Sequence, residues 1–209
     1  MRGPLRLMLG APPIARDPLY RAAGQMPAFD LRFDRGSIVD AIGGITPTFT
    51  RPSSVQTVWT GAGFTDFAAD VPAFAVDPAT GRTGYAHNPA ATNLFLNSAT
   101  PATQSFTVTA QAYTLSFYGT GTITLSGAST AGPLVGTGAA PNRVSLTFTP
   151  SAGTLTLTLS GSIVRPQFET GTAATSPITT GGSAVARSGD VLTVSGVPFS
   201  SFYNQLGGT

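Results

Sequence analysis

The sequence predicts an all-β fold of the sandwich or barrel type. Apolar and hydroxyl residues alternate with a period of two across residues 104–164, so successive side chains point to opposite faces of a strand. Turn residues separate these runs at 119–121, 136–138 and 150–153. Short strands at this spacing are typical of a sandwich or a barrel.

The strands follow from this alternation along the chain. Each run between 104 and 160 places large apolar side chains on one face and Ser or Thr on the other. The apolar positions are Phe106, Val108, Tyr113, Leu115, Phe117, Ile123, Leu125, Val144, Leu146, Phe148, Leu155, Leu157 and Leu159. Because Pro150 and Gly153 suit a tight turn, we expect strands 143–149 and 154–160 to pair as an antiparallel hairpin, with Gly153 in a left-handed conformation.

The rest of the chain has a weaker pattern. Residues 1–28 are rich in Pro, Arg and Gly and have no sustained period, so they cannot form a core of their own. Strands are predicted at 28–34, where apolar residues alternate, and at 191–195. The predicted segments are an N-terminal arm (1–28), an irregular β lead-in (29–98), a β-sandwich (99–195) and a C-terminal tail (196–209).

The composition excludes several kinds of site. The 209 residues contain no cysteine and no lysine, which excludes a disulfide framework, a thiolate metal site and lysine chemistry. Six of the eleven arginines lie within residues 1–35, so the arm is basic while the remainder is slightly acidic. The predicted sandwich has no basic stripe interleaved with aromatic residues, so we expect no nucleic-acid binding. No apolar run approaches about 20 residues, so we expect no membrane insertion.

A family resemblance lies in short phrases that occur in a consistent order over residues 29–195. They are Phe29-Asp-Leu-Arg-Phe-Asp-Arg-Gly-Ser37, Thr48-Phe-Thr-Arg-Pro-Ser-Ser54, Asp70-Val-Pro-Ala-Phe74, Asp77-Pro-Ala-Thr-Gly81, Thr92-Asn-Leu-Phe-Leu-Asn-Ser98, Gln167-Phe-Glu-Thr-Gly-Thr-Ala-Ala-Thr-Ser176, Pro177-Ile-Thr-Thr180 and Ala186-Arg-Ser-Gly-Asp-Val191. Together they resemble the structural proteins of tailed bacteriophages.

The resemblance implies a protein located in the virion, of the tail-fibre, spike or capsid-decoration type. Proteins of this family often carry a jelly-roll module of carbohydrate-binding type, so the expected fold is a jelly-roll β-sandwich preceded by an extended arm. The implied role is structural, with attachment to a host-surface glycan as a second activity. The alternatives are a free-standing carbohydrate-binding module and a polysaccharide-degrading enzyme.

Catalytic motifs are missing from the sequence. The only histidine is His87, and no Gly-x-Ser-x-Gly elbow presents a serine. Glycoside hydrolysis needs two facing carboxylates, but Asp70 and Asp77 have the positions of turn residues, and Glu169 is the sole glutamate. We therefore expect no enzymatic activity, no cofactor and no metal ion.

Glycan binding requires aromatic rings for sugar faces and amide or guanidinium groups for hydroxyls. Tyr113 continues an apolar face and is expected in the core, whereas Tyr118 breaks the alternation and is expected at the surface. Arg143 is the only charged residue between Thr83 and Val164, so it either pairs with a distant carboxylate or contacts a ligand. The first interpretation is favoured. The candidate glycan-binding residues are Trp59, Tyr85, Asn88, Tyr118, Asn142 and Arg143.

Contacts with other proteins are predicted for the arm and for the strand edges. The arm is expected to dock the chain onto other virion proteins through Arg2, Arg6, Arg16, Tyr20 and Arg21. Exposed edge strands invite pairing unless charge guards them, and Arg143 is the only charge on the strands from 105 to 160. We therefore expect a homo-oligomer, and the family resemblance favours a trimer.

Overall fold

The structure, a computed structural model, describes residue 27 and residues 29–53 and 56–200. The prediction of an all-β fold is confirmed, because the described residues form fifteen strands, one 3-10 helix (Phe33–Arg35) and one short α-helix (Gly196–Ser200). The strands are β1 (Thr48–Thr50), β2 (Gln56–Trp59), β3 (Phe64–Phe67), β4 (Phe74–Val76), β5 (Thr83–Tyr85), β6 (Ala91–Asn93), β7 (Gln104–Val108), β8 (Tyr113–Gly119), β9 (Thr122–Gly127), β10 (Leu134–Val135), β11 (Gly138–Phe148), β12 (Gly153–Ser160), β13 (Val164–Thr170), β14 (Val185–Arg187) and β15 (Val191–Thr193).

Two antiparallel sheets form a β-sandwich. One has the order β10-β9-β12-β7 and the other the order β11-β8-β13. Their alternating apolar residues meet in one core, in which Leu115, Phe117, Ile123, Leu155 and Phe168 are fully buried. The period-two pattern therefore identified the inward faces of both sheets.

The predicted hairpin between strands 143–149 and 154–160 is wrong. Strand β11 pairs with β8, whereas β12 pairs with β7 and β9, so the two strands belong to opposite sheets. Each has an apolar face, and crossing from one sheet to the other buries both faces in the shared core. Gly153 does have a positive φ of 145°, but it opens β12 after a crossover and closes no hairpin turn.

The lead-in strands form small antiparallel pairs, β2 with β3 and β4 with β5. Strand β6 pairs with β14, and the backbone N–H of Leu94 donates to the carbonyl of Phe168 in β13 (2.7 Å). The segment Asp77–Gly81 forms the predicted turn, because the N–H of Gly81 donates to the carbonyl of Asp77 (2.8 Å).

The described residues divide into two compact units, those from 49 to 192 and those before 49 together with those after 192. In the second of these, the strand predicted at 28–34 is replaced by a single bridge between Leu31 and Asp40 and by the 3-10 helix. The physical reason is the Asp40 carboxylate, which accepts the backbone N–H groups of Asp30, Ile42 and Gly43 and so folds the segment into a turn. The predicted four-segment division of the chain stays a prediction.

Candidate functional site

The outer face of the sheet β11-β8-β13 is covered, although its hydroxyl residues suggested a solvent face. Thr114, Ser116 and Tyr118 point away from the core and are nevertheless buried, so the predicted surface position of Tyr118 is wrong. The covering segment is residues 172–180, which we call the cover segment. It is attached at two buried side chains, since the N–H of Thr175 donates to Glu169 Oε1 (2.8 Å) and the N–H of Ile178 donates to Gln167 Oε1 (2.8 Å).

Arg143 joins the cover segment to the sheet. Its Nη1 donates to the carbonyl of Thr175 and its Nη2 donates to Ser116 Oγ (2.7 Å). No carboxylate of the described residues forms an ion pair with it, so the expected pairing with a distant carboxylate is replaced by neutral acceptors. Burial lowers the pKa of the Arg143 guanidinium, although an arginine remains charged throughout the physiological range.

A cleft lies where Arg143, strand β2, the residues after β5 and the cover segment meet. Its volume is about 290 Å³. The larger side chains that line it are Trp59, His87, Asn88, Tyr118 and Arg143, and Val58, Ala75, Ala86 and residues 174–177 complete it. The structure therefore brings together four of the six candidate glycan-binding residues, although they are up to 84 positions apart in the sequence.

The aromatic residues of the cleft are held by edge-on packing. Phe64 lies between Trp59 and Tyr118, with ring centroids 5.7 Å and 5.0 Å away. The guanidinium carbon of Arg143 lies 5.7 Å from the ring centroid of Tyr118. Burial raises the pKa of the Tyr118 hydroxyl, so that group is a neutral hydrogen-bond donor at neutral pH.

Asn88 positions the rim of the cleft. Its side-chain Oδ1 accepts the N–H of Ser176 (3.0 Å), and its own backbone N–H donates to Asp190 Oδ2 (3.0 Å). His87, which follows Tyr85 by two residues, is exposed beside it. The sequence interpretation of His87 was a loop or packed histidine, and it was not among the candidate glycan-binding residues. The only sequence feature that could have indicated His87 as a site residue is its position next to Asn88, a candidate glycan-binding residue.

The other two candidates lie elsewhere. Tyr85 packs between Phe49 and Phe74, with both ring centroids 6.2 Å away, and lines a different cavity beside the β4–β5 pair. Burial, with a smaller effect from the Asp190 charge, raises the pKa of Tyr85 to about 12. Asn142 is exposed on β11 near Gly138. The predicted docking residues Arg2, Arg6, Arg16, Tyr20 and Arg21 lie outside the described residues.

A group of buried charges lies behind the cleft. Arg51 and Asp190 form a buried ion pair with an N···O distance of 3.2 Å. Arg187 is also buried and donates from Nη1 to the carbonyl of Ser176 (2.9 Å), one of the cleft-lining residues. The name buried charge cluster is used here for the buried Arg51, Arg187, Glu169 and Asp190 together with Arg143, which is half-buried and lines the cleft.

The described residues contain neither a metal-binding cluster nor a membrane-spanning helix. Across residues 29–53 and 56–200, no three His, Asp or Glu side chains are grouped so that they could hold a metal ion. Within those same ranges, no helix has the length and apolar character needed to cross a membrane. Comparison with protein-family models, with curated proteins and with solved structures found no match to this chain.

Proposed function

We propose that this protein is a structural component of a tailed-phage virion whose β-sandwich, of jelly-roll type, attaches to a surface glycan. The observation that carries the glycan-binding part is the cleft, which gathers Trp59, Tyr118, Asn88 and Arg143 from separate elements. Small-ligand sites are usually clefts in which a few polar groups converge, and this cleft places an amide, a guanidinium and a phenol beside an indole ring.

The lining suits a sugar ring. A pyranose presents apolar C–H faces and a rim of hydroxyl groups, so it needs an aromatic wall together with hydrogen-bond donors and acceptors. Trp59 and Tyr118 supply the wall, and the polar side chains of the lining are His87, Asn88, Arg143, Thr175 and Ser176. None of the described lining residues is a carboxylate, which supports binding over glycoside hydrolysis.

The virion part of the proposal is supported by the ordered sequence phrases over residues 29–195 and by the basic, Pro-rich arm. The test has two parts. Purified particles should contain the chain at a fixed stoichiometry, and deletion of residues 1–28 should abolish its incorporation. Absence from particles, or unchanged incorporation of the shortened chain, would contradict the virion role or the arm's part in it.

The glycan part is tested by the full chain on a glycan array. We expect retention on a limited set of saccharides, with no release of reducing sugar from them. A chain that binds glycans but never joins particles would be the alternative, a free-standing carbohydrate-binding module. A chain that is retained by no saccharide would contradict glycan attachment, and release of reducing sugar would indicate an enzyme.

A further inference from the structure

We infer that the cleft takes an acidic saccharide, a sugar unit that carries a carboxylate or a sulfate. The inference rests on the proposed function and names the class of ligand for the same cleft. It follows from the charges that lie directly behind the cleft wall.

The buried charge cluster has an excess of positive charge. Hydrogen bonds join the five groups to one stretch of chain: Arg143 and Arg187 donate to the carbonyls of Thr175 and Ser176, and Glu169 accepts the N–H of Thr175. Asp190 binds Arg51 and accepts the N–H of Asn88, whose side chain in turn accepts the N–H of Ser176. Three guanidinium groups against two carboxylates leave one positive charge in excess. Arg51, Arg187 and Glu169 are each 1% exposed or less, so solvent does little to screen their charges.

The pairing within the cluster leaves two arginines without a carboxylate partner. Asp190 is used by Arg51, with which it forms the buried ion pair. Glu169 is satisfied by neutral donors, because Gln167 Nε2 (2.9 Å) and the N–H of Thr175 (2.8 Å) donate to its Oε1 and Thr175 Oγ1 (2.9 Å) donates to its Oε2. Neither Arg143 nor Arg187 forms an ion pair with any carboxylate in the described part of the chain.

Arg143 and Arg187 direct their charge toward the cleft wall. Their Nη1 groups donate to the consecutive carbonyls of Thr175 and Ser176, and both of these residues line the cleft. The Nε atoms of Arg143 and Arg187 are buried and have no acceptor among the described atoms. Arg143 is itself a lining residue. The uncompensated charge therefore lies at the cleft and immediately behind it.

A buried charge is costly unless an opposite charge compensates it. Coulomb interactions extend over several ångströms in the low-dielectric interior. An anionic group in the cleft is thus stabilised even where it displaces no existing hydrogen bond. No described lining residue is acidic, so nothing in the cleft repels such a group, and a neutral sugar gains nothing from the excess charge.

The test compares ligands that share one sugar backbone. Calorimetry on the full chain would use an oligogalacturonide, its methyl ester and a sulfated neutral oligosaccharide beside its unsulfated form. We expect at least one acidic form to bind about tenfold or more tightly than its neutral counterpart. That advantage should shrink when the ionic strength rises from about 0.05 M to about 0.5 M. Comparison of the oligogalacturonide with the sulfated oligosaccharide shows whether the cleft prefers a carboxylate or a sulfate.

Two charge-changing variants should act in opposite directions. Glu169→Gln keeps the side-chain shape and raises the positive excess, so it should tighten binding of the acidic form severalfold. Arg187→Gln removes the excess and should weaken binding of the acidic form while leaving the neutral form unchanged. If either variant fails to fold, the inference is still tested on the unchanged chain, by the affinity difference between acidic and neutral ligands and by its salt dependence.

Equal affinity for the acidic and neutral forms would overturn this inference and leave the proposed glycan binding intact. The same holds for a Glu169→Gln variant that folds normally and binds the acidic form no more tightly. Failure of every saccharide to bind would instead overturn the proposed function itself.

Discussion

Arg51 shows how one buried side chain fixes the backbone of the turn after β3. Its Nη2 donates to the carbonyls of Phe67 (3.2 Å), Ala68 (2.6 Å) and Val71 (2.9 Å), which hold the turn after β3. Its Nη1 forms the buried ion pair with Asp190. Each donor replaces a hydrogen bond to water that is lost on burial, and the carboxylate compensates the charge.

Asp190→Ala should therefore be strongly destabilising. It removes the partner of the Arg51 charge and leaves that charge buried, which costs about 3–5 kcal/mol. It also leaves the backbone N–H of Asn88 without its acceptor. The free energy of unfolding from urea titration would measure the loss. Asp66→Ala is the matched control, because Asp66 is exposed and accepts one hydrogen bond from Thr57 Oγ1, worth about 1 kcal/mol.

Tyr85 gives a prediction for alkaline pH. Burial raises its pKa to about 12 from the ordinary 10.0. The unfolded chain loses the phenolic proton at the lower pH, so the free energy of unfolding should fall as the pH rises from about 10 to about 12. Tyr85→Phe should lessen this fall. Tyr113→Phe is the control, because hydrogen bonds from Thr109 and Gln111 outweigh burial and lower the pKa of Tyr113.

Urea unfolding at several pH values between about 9 and about 12 would measure both tyrosine variants. An unchanged pH dependence in Tyr85→Phe would show that the folded protein does not hold this phenol in its neutral form. If Tyr113→Phe also lessened the alkaline fall in the free energy of unfolding, that fall could not be assigned to Tyr85.

The site residues show what the sequence could and could not predict. Tyr118 was identified because it breaks the alternation of its strand, and Arg143 because no other charge lies near it in the sequence. Tyr85 and Asn142 were also proposed, but they lie outside the cleft lining. The strand face on which a side chain lies can be predicted from the neighbouring residues in the sequence. The cleft itself forms only because the cover segment folds back over β8, β11 and β13, and no local pattern indicates that contact.

For the strands, the period-two alternation correctly predicted which face of each strand is buried, but it did not predict which strands pair with each other. Leu155 and Leu157 were correctly expected in the core. Their strand nevertheless pairs with β7 and β9 instead of its neighbour β11. A period of two fixes which side of a strand is buried, whereas a short connection serves a hairpin and a crossover between sheets equally well.

Substitution of two turn glycines by alanine should destabilise the fold to different extents. A Cβ at Gly121 would lie 2.4 Å from the carbonyl oxygen of Ser160, so Gly121→Ala should force the backbone apart and cost about 3 kcal/mol. A Cβ at Gly153 would have open space, but its φ of 145° disfavours any side chain, so Gly153→Ala should cost about 1 kcal/mol.

Gly182→Ala is the control, because Gly182 is exposed and has neither a close contact nor a positive φ. Thermal unfolding of the three variants would measure the order. A loss at Gly153 as large as that at Gly121 would contradict the predicted order, and a neutral Gly121→Ala would contradict the close approach of Gly121 to the Ser160 carbonyl.

At the scale of the whole molecule, the sheet edges lead us to expect self-assembly. Strands β7 and β10 end the four-stranded sheet, and Arg143 is the only charge on the strands between 105 and 160. Hydroxyl residues give little protection against pairing with another sheet. Light scattering at micromolar concentration should give about three times the chain mass of 21.2 kDa. A clean monomer mass would refute self-assembly.

Glycan binding in the cleft is tested most directly by calorimetry, which measures the affinity of the full chain and of two variants for a saccharide selected on the array. Trp59→Ala removes an aromatic wall of the cleft and should weaken binding at least about tenfold, with the fold confirmed by thermal unfolding. Asn142→Ala, at an exposed position outside the described lining, should bind like the unchanged chain. Unchanged affinity in a folded Trp59→Ala variant, or an equal loss in Asn142→Ala, would contradict the assignment of the cleft.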